Sequence, residues 1–336
     1  MNYTKIKGMN LSKLTLGTVQ LGMNYGIANK RGKPNIDEAF EILTVALRNG
    51  VNSFDTASLY GNSEEVLGQF FTSEEYKNIT LEKQNSSVKY ADEKNNQLII
   101  TTKFRVIPKD NLTDAETNGN ISDSEIEKQI YQWVEHSLEK LKIKKVPVYL
   151  LHNAKDMTQY GKVVPETLKK LKKEGLIDKV GVSVYHPEEV EEMLKEDLYE
   201  AVQLPMNLFD QRMINKGIMQ KLEDKNIIVF VRSVFLQGLF FLDPENLPQK
   251  VQMAREPLLL LRRLADKESM SVAQLAIAYI RDMEGVSSLV LGVETPEQII
   301  ENVRLMDAPP ISERTRYEIE AGFKNVPILD IMEGLR

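Results

Sequence analysis

Four polar residues stand at or just beyond the ends of apolar runs. Asp55 closes the run "VNSF" (51–54), and Tyr60 follows five residues later. Lys103 follows "QLIITT" (97–102), and His152 follows "VPVYLL" (146–151). A carboxylate, a phenol, an ammonium and an imidazole are side chains that hold and move protons. Each alone has a plainer reading: a capping acid, a packed loop tyrosine, a surface lysine, a capped or core histidine. Tyr60, Lys103 and His152 lie more than 40 residues apart in sequence, so they make one site only if the fold gathers them. Directly after Tyr60 and Gly61, Asn62-Ser63-Glu64-Glu65 reads as a helix cap with Glu at the third helical position.

The elements that would position these residues alternate. Strand-like runs occur at 14–18, 51–54, 97–102, 146–151, 180–184, 200–204, 227–231 and 287–292. Between them lie amphipathic segments such as "NIDEAFEILTVALRNG", "SDSEIEKQIYQWVEHSLEKL", "PEEVEEMLKE", "SVAQLAIAYIRD" and "TPEQIIENVRLM", with apolar residues at helical spacing. Eight short buried strands, each followed by a helix, predict an α/β fold, a (β/α)₈ TIM barrel. A doubly wound sheet is the runner-up, but it would need a phosphate loop. No linker or composition shift divides residues 1–336, which predicts a single domain, with polar surface excursions at 72–96 and 105–122. In a barrel, neighbouring strands bring their C-terminal ends to one face. Asp55, Tyr60, Lys103 and His152 would then meet there.

Composition narrows the function. No apolar run approaches the length of a membrane span, and the start "MNYTKIKGMN" lacks the order of a signal peptide. The chain has no Cys and a net charge of −6, which excludes thiolate chemistry and disfavours a nucleic-acid partner. A cytoplasmic protein is expected. The run "LKKLKKEG" reads as the solvated side of a helix. No G-x-G-x-x-G follows a strand. "GIANKRGKP" fails as a P-loop, because five residues separate its glycines and Pro34 stands where Ser or Thr is needed. There is no H-E-x-x-H. His136 lies in a charged helix, and His186 flanks a helix start.

The blocks "LTLGTVQLG", "NSFDTASLYGNSEEVLG", "ITTKF", "VYLLHN", "VGVSV", "VQLPMN" and "VLGVETPEQIIENV" resemble those of the aldo-keto reductase family, in that family's order and over nearly the whole chain. The resemblance implies an NAD(P)H-dependent oxidoreductase that reduces an aldehyde or ketone to an alcohol, with Asp55, Tyr60, Lys103 and His152 as catalytic tetrad. Tyr60 would donate the proton, Lys103 would lower its pKa, Asp55 would pair with Lys103, and His152 would orient the carbonyl. No metal is implied.

The same resemblance marks a cofactor track. Gly17 and Thr18 would contact the cofactor, and Ser183 and Gln203 would hold the carboxamide of its nicotinamide. Val184 replaces the Asn that many members carry after that Ser. Arg232 replaces an aromatic ring that stacks on nicotinamide, and a guanidinium can also stack. Ser233, Phe235, Gln237 and Gly238 would follow the pyrophosphate. Gly292, Glu294, Gln298 and Asn302 would border the adenosine. Glu294 stands where NADP-selective relatives place cations, so NADH is expected to serve at least as well as NADPH. Gln298 could equally belong to a capping box that starts at Thr295.

Tyr25, His186 and Asn207 are candidate cleft residues. "GTVQLGMNYGIANKRG" and "RSVFLQG" look like members that act on sugar-like aldehydes. The partner expected is a small-molecule carbonyl substrate, with no nucleic acid or membrane, and the helices show no heptad seam from which an oligomer could be read. Two other readings stay open: a catalytically weak cofactor-sensing or partner-binding subunit of the same fold, and an aldolase using Lys103 as a Schiff base.

Overall fold

The computed structural model describes residues 1–26, 31–85, 97–106 and 121–335. An antiparallel hairpin, β1 (Tyr3–Ile6) and β2 (Met9–Ser12), precedes eight parallel strands. These are β3 (Leu14–Gly17), β4 (Ser53–Asp55), β5 (Ile99–Phe104), β6 (Val146–Leu151), β7 (Ile177–Ser183), β8 (Tyr199–Pro205), β9 (Ile228–Arg232) and β10 (Ser288–Gly292). They close in chain order, β10 pairing with β3, and helices surround them. The fold is a (β/α)₈ barrel.

All eight expected strands are present, because each is a short apolar or β-branched run buried on both faces. The helices start where the sequence supplies caps. Asn35 with Glu38, Ser122 with Glu125 and Ser271 with Gln274 form reciprocal capping boxes for Ile36–Arg48, Asp123–Leu141 and Val272–Arg281. In Val163–Lys173, Leu168 and Leu171 face the core while Lys169, Lys170 and Lys173 are exposed, as expected of a solvated basic face.

The structure departs from the sequence reading in three places. The hairpin was not anticipated: its strands are short, and its Lys7-Gly8 turn with φ of 49° and 81° suits a tight two-residue connection. Met9 and Leu11 pack against Ile99, Val148, Leu150, Ala201, Ile228 and Phe230, which closes the bottom of the barrel. Within 72–96, Glu74–Asn85 is helical, anchored by buried Ile79 and a bond from Thr44 Oγ1 to Glu75. The rest of that excursion, and most of 105–122, lies outside the described residues.

The third departure is the cap after Tyr60. Helix Ser63–Phe71 has Asn62 at its N-cap with no side-chain capping bond. Asn62 Oδ1 accepts from Lys33 instead, and Glu65 pairs with Lys140 at 3.2 Å.

Register decides what meets at the top. Gly17 lies opposite Asp55 and Gly292, Lys103 opposite Leu150, Ser183 opposite Gln203, and Pro205 opposite Arg232. One rim thus collects residues from every strand.

Candidate active site

Lys103 has no exposed surface and Asp55 only 4%, so the ammonium must be satisfied from within. Its Nζ donates to Asp55 Oδ1 at 2.7 Å, to Asp55 Oδ2 at 2.8 Å and to Thr56 O at 2.8 Å. Three N–H bonds thus meet three acceptors, and a buried charge so paired and bonded is tolerated. Gln203 Nε2 adds a bond to Asp55 Oδ1 at 2.7 Å.

Tyr60 is carried by a turn in which its own N–H donates to Ala57 O and its carbonyl accepts from Ser63 N. Two glycines make room for that turn. A Cβ on Gly22 would lie 1.8 Å from Tyr60 O, and one on Gly61, whose φ is +57°, would lie 2.3 Å from Gly22 O. Beneath the turn Thr18 Oγ1 donates to Asp55 O, Thr56 Oγ1 to Ser63 Oγ, and Ser63 Oγ to Thr18 O. The Tyr60 ring lies with its centroid 4.8 Å from Lys103 Nζ and 5.7 Å from the His152 ring, which it meets edge to face.

Electrostatics sort these groups. Burial, reinforced by Lys103, Arg105 and Arg232, lowers the His152 pKa to about 3, so the imidazole is neutral. Its Nδ1 is buried without a partner. Burial lowers the Lys103 pKa while Asp55 opposes that shift.

The expected lowering of the Tyr60 pKa by Lys103 is not found. Burial and the Asp55 carboxylate push the phenol up, and Arg232 is the cation that opposes them. The Lys103 ammonium is bonded to Asp55 and Thr56, so the carboxylate that raises the phenol belongs to the same buried pair.

From Tyr60 and His152 a cleft of about 550 Å³ runs across the rim. Asp55 reaches it, while Lys103 lies beneath its floor. Its lining also takes Gly17, Thr18, Ser183, Gln203 and Arg232 from the strand ends, Ser233, Phe235, Gln237 and Gly238 from the segment after β9, and Gly292, Glu294, Gln298 and Asn302 from around the start of helix Pro296–Leu305. Thr18 has its hydroxyl committed to the network below. Gln298 Oε1 accepts from Glu294 N at 2.6 Å, and Gln298 N donates to Thr295 Oγ1 at 3.4 Å, so Gln298 serves the start of helix Pro296–Leu305. Arg232 does stack, but on Tyr185, at 4.3 Å from its ring centroid. Val184 is buried in the core, and its carbonyl accepts from Arg232 Nη2 at 3.1 Å.

Of the candidate cleft residues, Tyr25 lines the cleft and the other two do not. His186 is exposed beside Arg212, with Nδ1 3.3 Å from Nη1. Asn207 is buried as a loop brace, accepting from Phe209 N and Asp210 N and donating to Ser233 O.

The sequence reading missed Gln20, Tyr185, Phe241 and Glu301 in the lining. It also missed Arg31, whose charge reaches Glu294 and Glu297. Gln20 and Glu301 stand inside the blocks "LTLGTVQLG" and "VLGVETPEQIIENV", which was a signal, whereas Tyr185, Phe241 and Arg31 lie outside the family-like blocks.

The barrel has counterparts among known proteins. The sequence model of the Aldo/keto reductase family matches residues 13–321, and the chain belongs to that family. It is 25% identical over 317 residues to an uncharacterized oxidoreductase of Bacillus subtilis, covering 91% of this chain and 92% of that one. It is 25% identical over 324 residues to an NADH-specific methylglyoxal reductase of Escherichia coli, covering 89% and 91%. An aldo-keto reductase from Bacillus halodurans, in its holo form, superposes with a TM-score of 0.71 at 20% identity, covering 96% of each chain.

Aldo-keto reductases use NAD(P)H, and the residues here fit such a group. A Cβ on Gly292 would lie 2.6 Å from the Gln20 amide, whose Oε1 is buried without a partner. A glycine-lined track with an orphan amide suits a ligand that supplies its own polar edge.

Proposed function

We propose that the protein reduces an aldehyde or ketone, of sugar-like kind, to the alcohol at the expense of NAD(P)H. The observation that carries this reading is the pair of Tyr60 and His152 rings on the cleft wall directly above the buried Lys103–Asp55 pair. Bound NAD(P)H supplies the hydride that becomes the new C–H bond. Tyr60 supplies the proton: the phenol O–H breaks, and the carbonyl oxygen gains that hydrogen as the C=O double bond becomes single. A phenol is protonated at neutral pH, so Tyr60 can act as acid towards an alkoxide more basic than itself, and burial makes it a weaker acid than a free phenol.

His152, neutral, donates from Nε2 to the carbonyl oxygen and fixes it between the two rings, leaving Nδ1 as the buried acceptor. Asp55 and Thr56 hold Lys103, and Lys103 holds the face of Tyr60. Ser183 and Gln203 stand where the carboxamide of a nicotinamide would be bound, and Gln203 exchanges or shares its bond to Asp55 when it does so. Gly17 and Thr18 border this end, Ser233, Phe235, Gln237 and Gly238 the pyrophosphate track, and Gly292, Glu294, Gln298 and Asn302 the adenosine end.

We expect NADH to be used at least as well as NADPH, because Glu294 suits a ribose diol and repels a phosphate. Arg31 reduces that bias without reversing it, since Glu294, Glu297 and Glu301 surround the same end.

The test is loss of NADH absorbance when the purified protein meets a panel of aldehydes, sugar aldehydes included. Aldehyde-dependent oxidation with formation of the alcohol supports the reading. Tight NADH binding with no turnover across the panel would replace it with the cofactor-sensing alternative.

A further inference from the structure

The cleft holds a cation that no carboxylate answers. Among the described residues Arg232 forms no ion pair: Nη2 donates to Val184 O at 3.1 Å, Nη1 reaches Ser233 Oγ at 3.5 Å, and one guanidinium face is covered by Tyr185. Among the described residues none of the carboxylates in the same lining pairs with it, and Glu301 is exposed on helix Pro296–Leu305. Asp55 is bonded to Lys103 and Gln203, and Glu294 faces Arg31. Arg232 nevertheless belongs to the reactive end, since its charge opposes proton binding at Tyr60, His152 and Lys103 alike.

We infer that Arg232 is a specificity residue that binds an anionic group, carboxylate or phosphate, carried by the carbonyl substrate a few bonds from the carbonyl carbon. The argument is one of matching. A guanidinium presents a rigid fork of donors that fits two oxygens of an anion at once. Here the fork is held in advance by the Val184 carbonyl and the Tyr185 face, which reduces the ordering cost of binding.

The covered face also bears on the cofactor: the stack that an aromatic ring would offer a nicotinamide is made within the protein, and the edge of the fork is what remains. Tyr25, Tyr185 and Phe241, all substantially exposed in the same lining, supply ring surfaces against which the carbon frame of such a substrate can lie. A neutral aldehyde would leave the guanidinium in the cleft without a counter-charge, and the site discriminates against it for that reason.

This inference rests on the carbonyl-reductase reading, and the experiment separates the two. With NADH present, kcat/KM is measured for glyceraldehyde 3-phosphate against glyceraldehyde and for 4-oxobutanoate against butanal. The proteins are the unaltered chain, Arg232→Met and Arg232→Lys. In parallel, calorimetry measures binding of inorganic phosphate and of succinate to the NADH-loaded protein, and fluorescence gives the NADH dissociation constant.

The expected result is a preference of about tenfold or more for one anionic member, a single charge-assisted contact. That ratio should collapse towards unity in Arg232→Met and return in part in Arg232→Lys. Which pair shows it distinguishes phosphate from carboxylate. An unchanged ratio in Arg232→Met overturns the inference. So does an equal loss on both members with weaker NADH binding, which would make Arg232 a cofactor residue. If no aldehyde is reduced, the carbonyl-reductase reading falls, and anion binding alone decides: lost in Arg232→Met it supports the assignment, absent or unchanged it overturns it.

Discussion

At the reactive end of the cleft the charged groups are buried and paired, whereas around the start of helix Pro296–Leu305 they are half-exposed and like-signed. Lys103 and Asp55 are buried, each polar atom of the pair bonded. Glu294, Glu297 and Glu301 face solvent with Arg31 as the nearby cation. Burial converts a small displacement into a large energy, while exposure lets solvent screen it. The first end should therefore govern turnover and stability, and the second only the choice between cofactors.

The largest effect expected is at the tetrad. Tyr60→Phe removes the proposed proton donor and should lower kcat about a hundredfold or more, the scale of general-acid catalysis, while the NADH dissociation constant stays within a few fold. Lys103→Met should lower kcat at least as much, and the double variant should be little worse than either, because residues that work as one unit are not additive. Lys103→Met also strands a buried Asp55 carboxylate, a change that costs about 3–5 kcal/mol in buried pairs, visible as a lower denaturation midpoint. Steady-state kinetics and denaturant titration of the three variants check this. Losses that multiply would break the picture of a single unit.

A smaller effect is expected from pH. His152 titrates near 6.5 when unfolded and at about 3 when folded. Below pH 6.5 the unfolded chain takes up the proton first, so its contribution to stability, present above 6.5, is lost as pH falls. Asp156 runs the other way. Burial raises its pKa from 3.8 to about 6 while it accepts from Val106 N and Gln159 Nε2. Its contribution is fully present below 3.8 and is lost as pH rises through 6. Between pH 4 and 6 the two slopes oppose. Stability measured over that window should fall more steeply with acid in Asp156→Asn and less steeply in His152→Asn. Parallel curves for both variants would remove these two groups as the source.

The smallest effects belong to the far end. The ratio of NADPH to NADH dissociation constants should move towards NADPH by about tenfold in Glu294→Lys, roughly 1.4 kcal/mol, and by a few fold towards NADH in Arg31→Ala. The kcat should hardly change in either. A large fall in kcat from Glu294→Lys would show that the two ends are coupled rather than separate.

The barrel was legible because its strands are short runs of Ile, Val and Leu bounded by capped helices, and the period of eight such units admits few folds. Asp55, Tyr60, Lys103 and His152 were legible as candidates because four such side chains stand at or just beyond strand ends within family-like blocks, although each alone has a plainer reading. The N-terminal hairpin was not legible: within their own segment Met9 and Leu11 have only Ile6 to pack on, and their burial comes from inward-facing side chains of distant strands. Nor was the helix at 74–85, whose polar sequence is held by Ile79 and Glu75 through tertiary contacts.

Sequence by itself determined the order of strands and helices, the family and the residue types at the rim, since all of these follow from local pattern and matched blocks. Only the tertiary structure decided how the charges act on one another. The ammonium of Lys103 is spent on Asp55 and Thr56, Tyr60 is held protonated rather than poised to ionise, Arg232 stacks on Tyr185 and keeps a free edge, and Arg31 arrives beside Glu294. Coulomb energy and desolvation depend on distance and burial in space, and neither quantity is written in the spacing of residues along a chain.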